Sequence, residues 1–276
     1  MIENIGFMQG RLSPLVDRKI QAFPWGFWRN EIPCGKNIGF NVMEWTLDQE
    51  RLYENPLMTI SGQKEIVSLC DTHNFSIPSL TGDCFMQAPF WKVGDAIVCN
   101  RLKTDFSEIT KACSNVGIKL VVIPLVDNGS LESRYQENVL VNFLQEQESV
   151  LKRLCIRIAF ESDFCPHELN RFINRLNPDV FGINYDIGNS ASLGFDPVEE
   201  FTLFGNRILN VHVKDRVLGG TTVPLGEGDA DFKTVYRLLQ LQNYNANYIL
   251  QTARDPNGQH KDVLKKYKNF VEKWSG

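Results

Sequence analysis

The sequence predicts an α/β fold of the (β/α)8 TIM-barrel class, with residues 1–276 as a single domain. Three observations predict it. Eight short apolar runs recur along the chain with amphipathic segments between them, the alternation that closes a parallel barrel inside a ring of helices. The length of 276 residues suits such a barrel, which typically takes about 250. The first run is followed by Gln9-Gly-Arg-Leu-Ser-Pro, not by the Gly-rich phosphate loop that a doubly wound sheet often carries there.

The eight predicted strands are residues 5–9, 42–46, 77–81, 120–126, 156–161, 181–186, 208–213 and 248–251. Between them, residues 64–70 place Ile66, Val67 and Leu69 among polar neighbours. Phe106, Ile109, Ala112, Cys113 and Val116 recur at helical spacing, as do Leu140, Phe143, Leu144, Val150, Leu151 and Leu154. Pro166 opens a helix through Leu169, Phe172, Ile173 and Leu176, and Pro197 opens another. Asp231 is the expected N-cap of a helix over 232–241. Residues 16–32, with Phe23-Pro-Trp-Gly-Phe-Trp, read as a loop over the barrel mouth. No linker, repeat or low-complexity tract divides the chain.

A formal net charge of -4 gives no general attraction for nucleic acid. Seven cysteines without a C-x-x-C pair argue for reduced, mostly buried thiols in a cytoplasmic protein, against both a disulfide framework and a thiolate zinc site. Met1-Ile-Glu-Asn-Ile-Gly lacks the basic flank and apolar stretch of a signal peptide. No apolar run approaches the ~18 residues of a membrane helix.

Four of the predicted strands carry a side chain of metal-ligating type at or next to their C-terminal end: Glu161, Asp186, His212 and Gln251. Parallel barrel strands all end at the mouth, where active sites sit. Strand alternation puts Asn210, His212 and Lys214 on one face and Val211 and Val213 on the other. It likewise joins Glu161 to Asp163 and Asn184 to Asp186. Polar faces inside a core are costly unless they are paired, solvated or metal-bound. Taken alone, His212 reads as a satisfied core histidine; joint placement on four strand ends favours an ion. Two carboxylates, an imidazole and an amide oxygen suit one divalent ion, Mn²⁺, Mg²⁺, Co²⁺ or Zn²⁺.

At these residues the chain resembles the xylose isomerase-like TIM-barrel superfamily, in particular its sugar-phosphate isomerase/epimerase branch. That branch includes ketose 3-epimerases and, more remotely, endonuclease IV. The resemblance covers nearly the whole chain. It is carried by Ile5-Gly-Phe, Met43-Glu-Trp, Phe160-Glu, Asp186-Ile-Gly-Asn, Val211-His-Val-Lys-Asp and Pro224-Leu-Gly-Glu-Gly-Asp. It implies that the strand ends supply Glu, Asp, His and Glu to one divalent ion, and that the two glutamates exchange protons with the substrate carbon. Glu161, Asp186 and His212 match this pattern; Gln251 departs from it. An amide oxygen can bind a metal, but it is no general base near neutral pH. The resemblance also implies association into homodimers or homotetramers.

Glu161 is therefore the expected proton acceptor, with Lys214 as partner or electrostatic stabiliser and Glu44 and Asp83, near the ends of the second and third strands, as further acid/base candidates. Gln9, Arg11, Trp45, Asp83, Asn189, Arg216 and Arg254 are the expected substrate contacts. Each arginine fits a phosphate or carboxylate through its planar fork. One or two of Trp25, Trp28, Trp45, Phe85 and Trp91 are expected against the CH face of a sugar. Gly226-Glu-Gly-Asp reads as a tight active-site loop.

The expected activity is metal-dependent isomerisation or epimerisation of a sugar, sugar phosphate or related keto-polyol, by proton transfer at a carbon next to a carbonyl. Dehydration of a keto-polyol such as an inosose is an alternative, as is sugar binding without catalysis. A three-zinc nuclease is disfavoured: it needs many histidines, and only His212 of the four present lies on a predicted strand end. Nucleic acid and membranes are not expected partners.

Overall fold

The computed structural model describes residues 4–17 and 19–275. Outside them lie Met1 to Glu3, part of the stretch read for a signal peptide, Arg18, within the predicted mouth loop, and Gly276.

The strands are β1 Ile5–Met8, β2 Val42–Thr46, β3 Ser76–Thr81, β4 Leu120–Leu125, β5 Arg157–Ser162, β6 Phe181–Asp186, β7 Ile208–Val213, β8 Asp215–Arg216, β9 Thr222–Val223 and β10 Tyr248–Leu250. Eight of them close a barrel in the order β1-β10-β7-β6-β5-β4-β3-β2, with parallel pairing throughout. The remaining two, β8 and β9, form an antiparallel hairpin just beyond β7. The expected α/β barrel is the observed fold, and each predicted barrel strand is present with ends shifted by at most one residue.

Side-chain alternation sorts the strands into two faces. Outward residues such as Phe160, Phe181, Val211 and Val213 join the main core beneath the helices. Phe160 meets Phe172 of helix Pro166–Ile173 edge to face at 5.2 Å. Inward residues form two small apolar clusters, Met8 with Val42 and Ile249, and Leu120 with Val122 and Ala159. The mouth-side inward residues of β2, β5, β6 and β7 are polar, and they make the site.

The helices follow local capping rules. Asp95 accepts from the amides of Ile97 and Val98 at the start of Ala96–Val116. Ser133 caps Arg134–Leu154, and Asp231 caps Phe232–Leu241 as expected. Losing such a cap costs about 1 kcal/mol.

The region 16–32 is not wholly a loop, because a helix, Trp28–Asn37, begins inside it. Pro33 and Gly35 hide this helix in the sequence, yet Trp28, Ile32 and Gly35 are buried. A Cβ on Gly35 would lie 2.7 Å from Phe7 Cε1, so this close helix-to-barrel approach needs glycine. The preceding loop is anchored by buried Glu31, whose carboxylate accepts from the amides of Gly10 (2.8 and 2.9 Å) and Leu12 (3.0 Å).

Candidate metal centre and active site

Asp186 and His212 are register partners at the mouth ends of β6 and β7. With Glu161 of β5 they place one donor atom each within 4.8 Å of one another, and all three residues are buried. Burial of two carboxylates in a polar cluster without a counter-charge would be strongly unfavourable. The arrangement around His212 shows how the charge is met.

His212 has no solvent exposure. Its Nε2 is 2.7 Å from Glu44 Oε1, and its Nδ1 is 3.0 Å from Glu161 Oε2 and 3.9 Å from Asp186 Oδ2. Glu44 also accepts from Ser79 Oγ (2.6 Å), Thr81 Oγ1 (2.6 Å) and Asn210 Nδ2 (2.9 Å). A carboxylate so enclosed by donors is a fixed acceptor, and it assigns the Nε2 proton of His212 to itself. Nδ1 is thereby directed at Glu161 and Asp186. A metal-binding imidazole commonly has its other nitrogen held in this way.

Without a metal, the imidazole supplies the missing positive charge. Burial alone would lower the His212 pKa, but the charge of Glu44 and hydrogen bonds with Glu161 and Glu44 push it up to about 10. Burial opposes ionisation of Glu161 too, yet the His212 hydrogen bond and the Lys214 charge bring it down to about 2. Glu44 is likewise held below the usual carboxylate range, with His212 overcoming burial. Asp186 goes the other way: burial raises it despite nearby Lys214.

The donor set fits a divalent ion. Asp186 Oδ2 lies 2.6 Å from Lys214 Nζ in a buried ion pair. Buried Gln251 Oε1 has no hydrogen-bond partner among the described residues. The unpartnered Gln251 oxygen beside two carboxylates and an imidazole nitrogen makes a mixed O/N set suited to Mn²⁺, Mg²⁺, Co²⁺ or Zn²⁺.

The centre opens on a cavity of about 470 Å³. Of the expected site residues, Glu161, Gln251, Lys214, Asp83, Asn189 and Arg216 line it. Asn189 Nδ2 donates to Glu161 Oε1 at 2.6 Å, and its Oδ1 accepts from Arg216 Nη1 at 2.8 Å. The arginine thus fixes an amide that in turn fixes the carboxylate.

Other expected contacts are placed elsewhere. Glu44 is enclosed by His212, Ser79, Thr81 and Asn210 and does not line the cavity. Trp45 alternates with Glu44 and faces outward, where it packs against Phe23 and Trp28 and donates from Nε1 to Asn55. Arg11 spends its guanidinium on the Thr252 and Ile20 carbonyls at 3.0 and 2.9 Å, and Arg254 donates to the Ser13 carbonyl. Both arginines staple loops together instead of facing the cavity. Gln9 is fully buried, and its Oε1 accepts from the Thr46 amide at 3.1 Å. None of the five mouth aromatics lines the cavity. The Gly226-Glu-Gly-Asp segment wraps buried Asp215, which accepts from the amides of Gly226, Gly228 and Ala230 at 2.8, 3.0 and 3.2 Å. It is a structural turn, not cavity wall.

Some cavity residues escaped the sequence reading. Gln21 reaches in from the mouth loop, donating to Asp83 Oδ2 at 2.7 Å and accepting from Gln251 Nε2 at 2.9 Å. Met86, Gln87, Asp127, Ser192 and Leu193 also line the space. They lie on loops and the short helices Asp83–Gln87 and Ile187–Leu193, where no periodicity marks an inward side. Asp163, paired with Glu161 by alternation, is there as well.

Comparison with known proteins agrees with this architecture. The chain is 25% identical over 255 residues to L-ribulose-5-phosphate 3-epimerase UlaE of Shigella flexneri serotype 5b, covering 86% of this chain and 87% of that protein. The D-allulose 3-epimerase of Methylomonas sp., solved with D-allulose, superposes with a TM-score of 0.77 at 15% identity, covering 98% of this chain and 96% of the other. The IOLI protein, solved with a bound zinc atom, gives 0.76 at 17% identity, covering 98% and 99%. The profile of the xylose isomerase-like TIM barrel family matches residues 35–270. On that match across most of its length, the chain belongs to the xylose isomerase-like TIM barrel family.

Proposed function

We propose that this protein is a divalent-metal-dependent sugar isomerase or epimerase that moves a proton at a carbon next to a carbonyl. The observation that carries the reading is the buried Glu161–Asp186–His212 cluster opening onto a sugar-sized cavity. The epimerase activity named for its sequence relative supports it. Glu161, Asp186, His212 and Gln251 would hold the ion. When bound, a divalent ion polarises carbonyl and hydroxyl oxygens of the substrate and makes the adjoining C–H more acidic.

The chain's own residues supply the rest. Glu161, aimed by Asn189, takes the proton. Lys214, on the cavity wall beside Asp186, offsets negative charge that develops on substrate oxygen. Ile20, Met86 and Leu193 give the cavity apolar wall that limits water near the reacting carbon.

The test is entry of solvent deuterium into a panel of ketoses, ketose phosphates and inososes, with product analysis alongside. Exchange at the carbon next to the carbonyl, with an epimer or isomer formed, is the expected result. No exchange and no new sugar across the panel would reject the reading. Gln251 favours one second reading, dehydration of a keto-polyol, because an amide at this strand end removes one proton-transfer group. An enone-type absorbance growing with an inosose would identify it. Among the described residues, no helix is long and apolar enough to cross a membrane.

A further inference from the structure

Moving a proton off one carbon and delivering one back needs two groups that change protonation. Gln251 cannot be the second. Apart from Glu161 and the permanently charged Arg216, the titratable groups on the cavity wall among the described residues are Asp83, Asp127, Asp163 and Lys214. Lys214 is engaged by Asp186 at 2.6 Å. Asp163 accepts the Ser130 hydroxyl, and Asp127 lies exposed at the rim. Asp83 differs from all three. It is buried at 8% exposure and still on the wall, and among the described residues a single hydrogen bond, from Gln21 Nε2 to Oδ2 at 2.7 Å, fixes its carboxyl. That bond belongs to a chain. Gln21 Oε1 accepts from Gln251 Nε2 at 2.9 Å, so the amide at the end of β10 and the carboxyl after β3 are tied through one loop residue.

We infer that Asp83 is the second proton-transfer residue of this site, and that Gln21 is a positioning residue which aims it. The assignment rests on the proton-transfer reading above. Burial, with Asp48 and Glu161 adding like charge and the Gln21 hydrogen bond opposing, lifts the Asp83 carboxyl to about 7. A group poised there can give or take a proton near neutral pH.

The step balances without an oxidant. Glu161 takes the proton from the carbon next to the carbonyl. The C–H pair becomes a C=C bond, and the carbonyl π pair moves onto oxygen, giving an enediolate. When that oxygen pair re-forms a C=O bond, the C=C pair takes the proton of Asp83; a new C–H bond forms as the Asp83 O–H bond breaks. Turnover leaves the proton on Glu161 and the charge on Asp83, and exchange with solvent resets both. Delivery to the same carbon gives an epimer; an isomer forms instead when the hydroxyl on the deprotonated carbon passes its proton to the former carbonyl oxygen, its O–H pair becomes the new C=O bond, and the former carbonyl carbon takes the Asp83 proton.

The experiment compares wild type, Asp83→Asn, Asp83→Glu and Gln21→Ala as full-length, metal-loaded proteins in D₂O, using whichever ketose of the panel the wild type turns over. Two rates are read: product formation, and deuterium entry into recovered substrate. With the substrate that Glu161 deprotonates, Asp83→Asn should lose about 100-fold or more in product formation while substrate exchange stays within about threefold. Asp83→Glu should recover part of the loss, and Gln21→Ala should lower product formation relative to exchange. Product formation by Asp83→Asn within about threefold of wild type overturns the assignment, as does an equal fall of both rates. If Asp83→Asn does not fold, an unchanged ratio of the two rates in Gln21→Ala overturns it. If the wild type neither exchanges nor converts any ketose, the proton-transfer reading itself fails and takes this assignment with it. A fault in Asp83 alone leaves wild-type exchange intact, so the two failures are distinct.

Discussion

Glu44 and His212 meet across the barrel interior at 2.7 Å, Oε1 to Nε2, and neither is exposed to solvent. They come from β2 and β7, strands that do not pair with each other. The contact fixes which imidazole nitrogen faces Glu161 and Asp186. Glu44 is therefore placed to support the proposed metal centre although it stands off the cavity.

Substituting Glu44→Gln tests this directly. The side chain keeps its volume but loses its charge, and one oxygen becomes a donor among hydrogen-bond donors. Outer-shell changes of this kind typically cost about 10- to 100-fold in metal affinity. Titration calorimetry with Mn²⁺ or Zn²⁺ should show that loss; an unchanged affinity would mean that the His212 orientation is set by something else.

The charge arrangement predicts a pH dependence for the metal-free protein. His212 is lifted from 6.5 to about 10 in the folded state, so its contribution is complete below about pH 6.5 and disappears as pH rises through about 10. Glu161, brought down to about 2, contributes above its ordinary value of 4.5 and loses that contribution as pH falls through about 2. Glu31, Asp83 and Glu200, each lifted to about 7 chiefly by burial, lower stability as they ionise between roughly pH 4 and 7. The metal-free melting temperature should fall between about pH 6 and pH 9. Metal binding to His212 must displace a proton in that window, so affinity should rise with pH. Thermal melts with and without metal at both pH values check the pair of expectations.

Gln251→Glu adds a third carboxylate to the two supplied by Glu161 and Asp186. Affinity for a divalent ion rises with ligand charge, and a gain of about tenfold is expected. The same change removes the donor that Gln251 gives to Gln21, so the mouth loop should exchange its amide hydrogens faster near residue 21. Calorimetry and hydrogen exchange on one sample would show both effects.

Gly228→Ala should destabilise the fold at the Asp215 turn, which adjoins Arg216 of the cavity wall. A Cβ there would collide with Asp215 Oδ1 and come within 2.7 Å of the Arg216 carbonyl. Asp215 is fully buried and depends on the amides of this turn. Disrupting them should cost about 1–3 kcal/mol, read as a lower denaturation midpoint.

The barrel was legible because each strand carries its own two-sided pattern. Val211 and Val213 against Asn210 and His212 suffice to orient β7 without any partner. The cluster of Glu161, Asp186 and His212 was legible for the same reason, since barrel closure then brings adjacent strand ends together. Trp45 was within reach too: with Glu44 facing in, alternation turns its neighbour out. Arg11 and Arg254 were not legible. A loop arginine looks the same whether it awaits a phosphate or, as here, donates to carbonyls at residues 252, 20 and 13. Gln21 left no trace at all, because an amide in an irregular loop acquires its role only when residues 83 and 251 fold up beside it.

The central claim is that one divalent ion sits among Glu161, Asp186, His212 and Gln251. Anomalous diffraction from crystals grown with Mn²⁺ tests it most directly. The account predicts a single strong peak bounded by His212 Nδ1, the two carboxylates and Gln251 Oε1, absent in the His212→Ala protein. A cluster that stays closed on itself at saturating Mn²⁺, with the His212 imidazolium still lodged between Glu44 and Glu161, would contradict it.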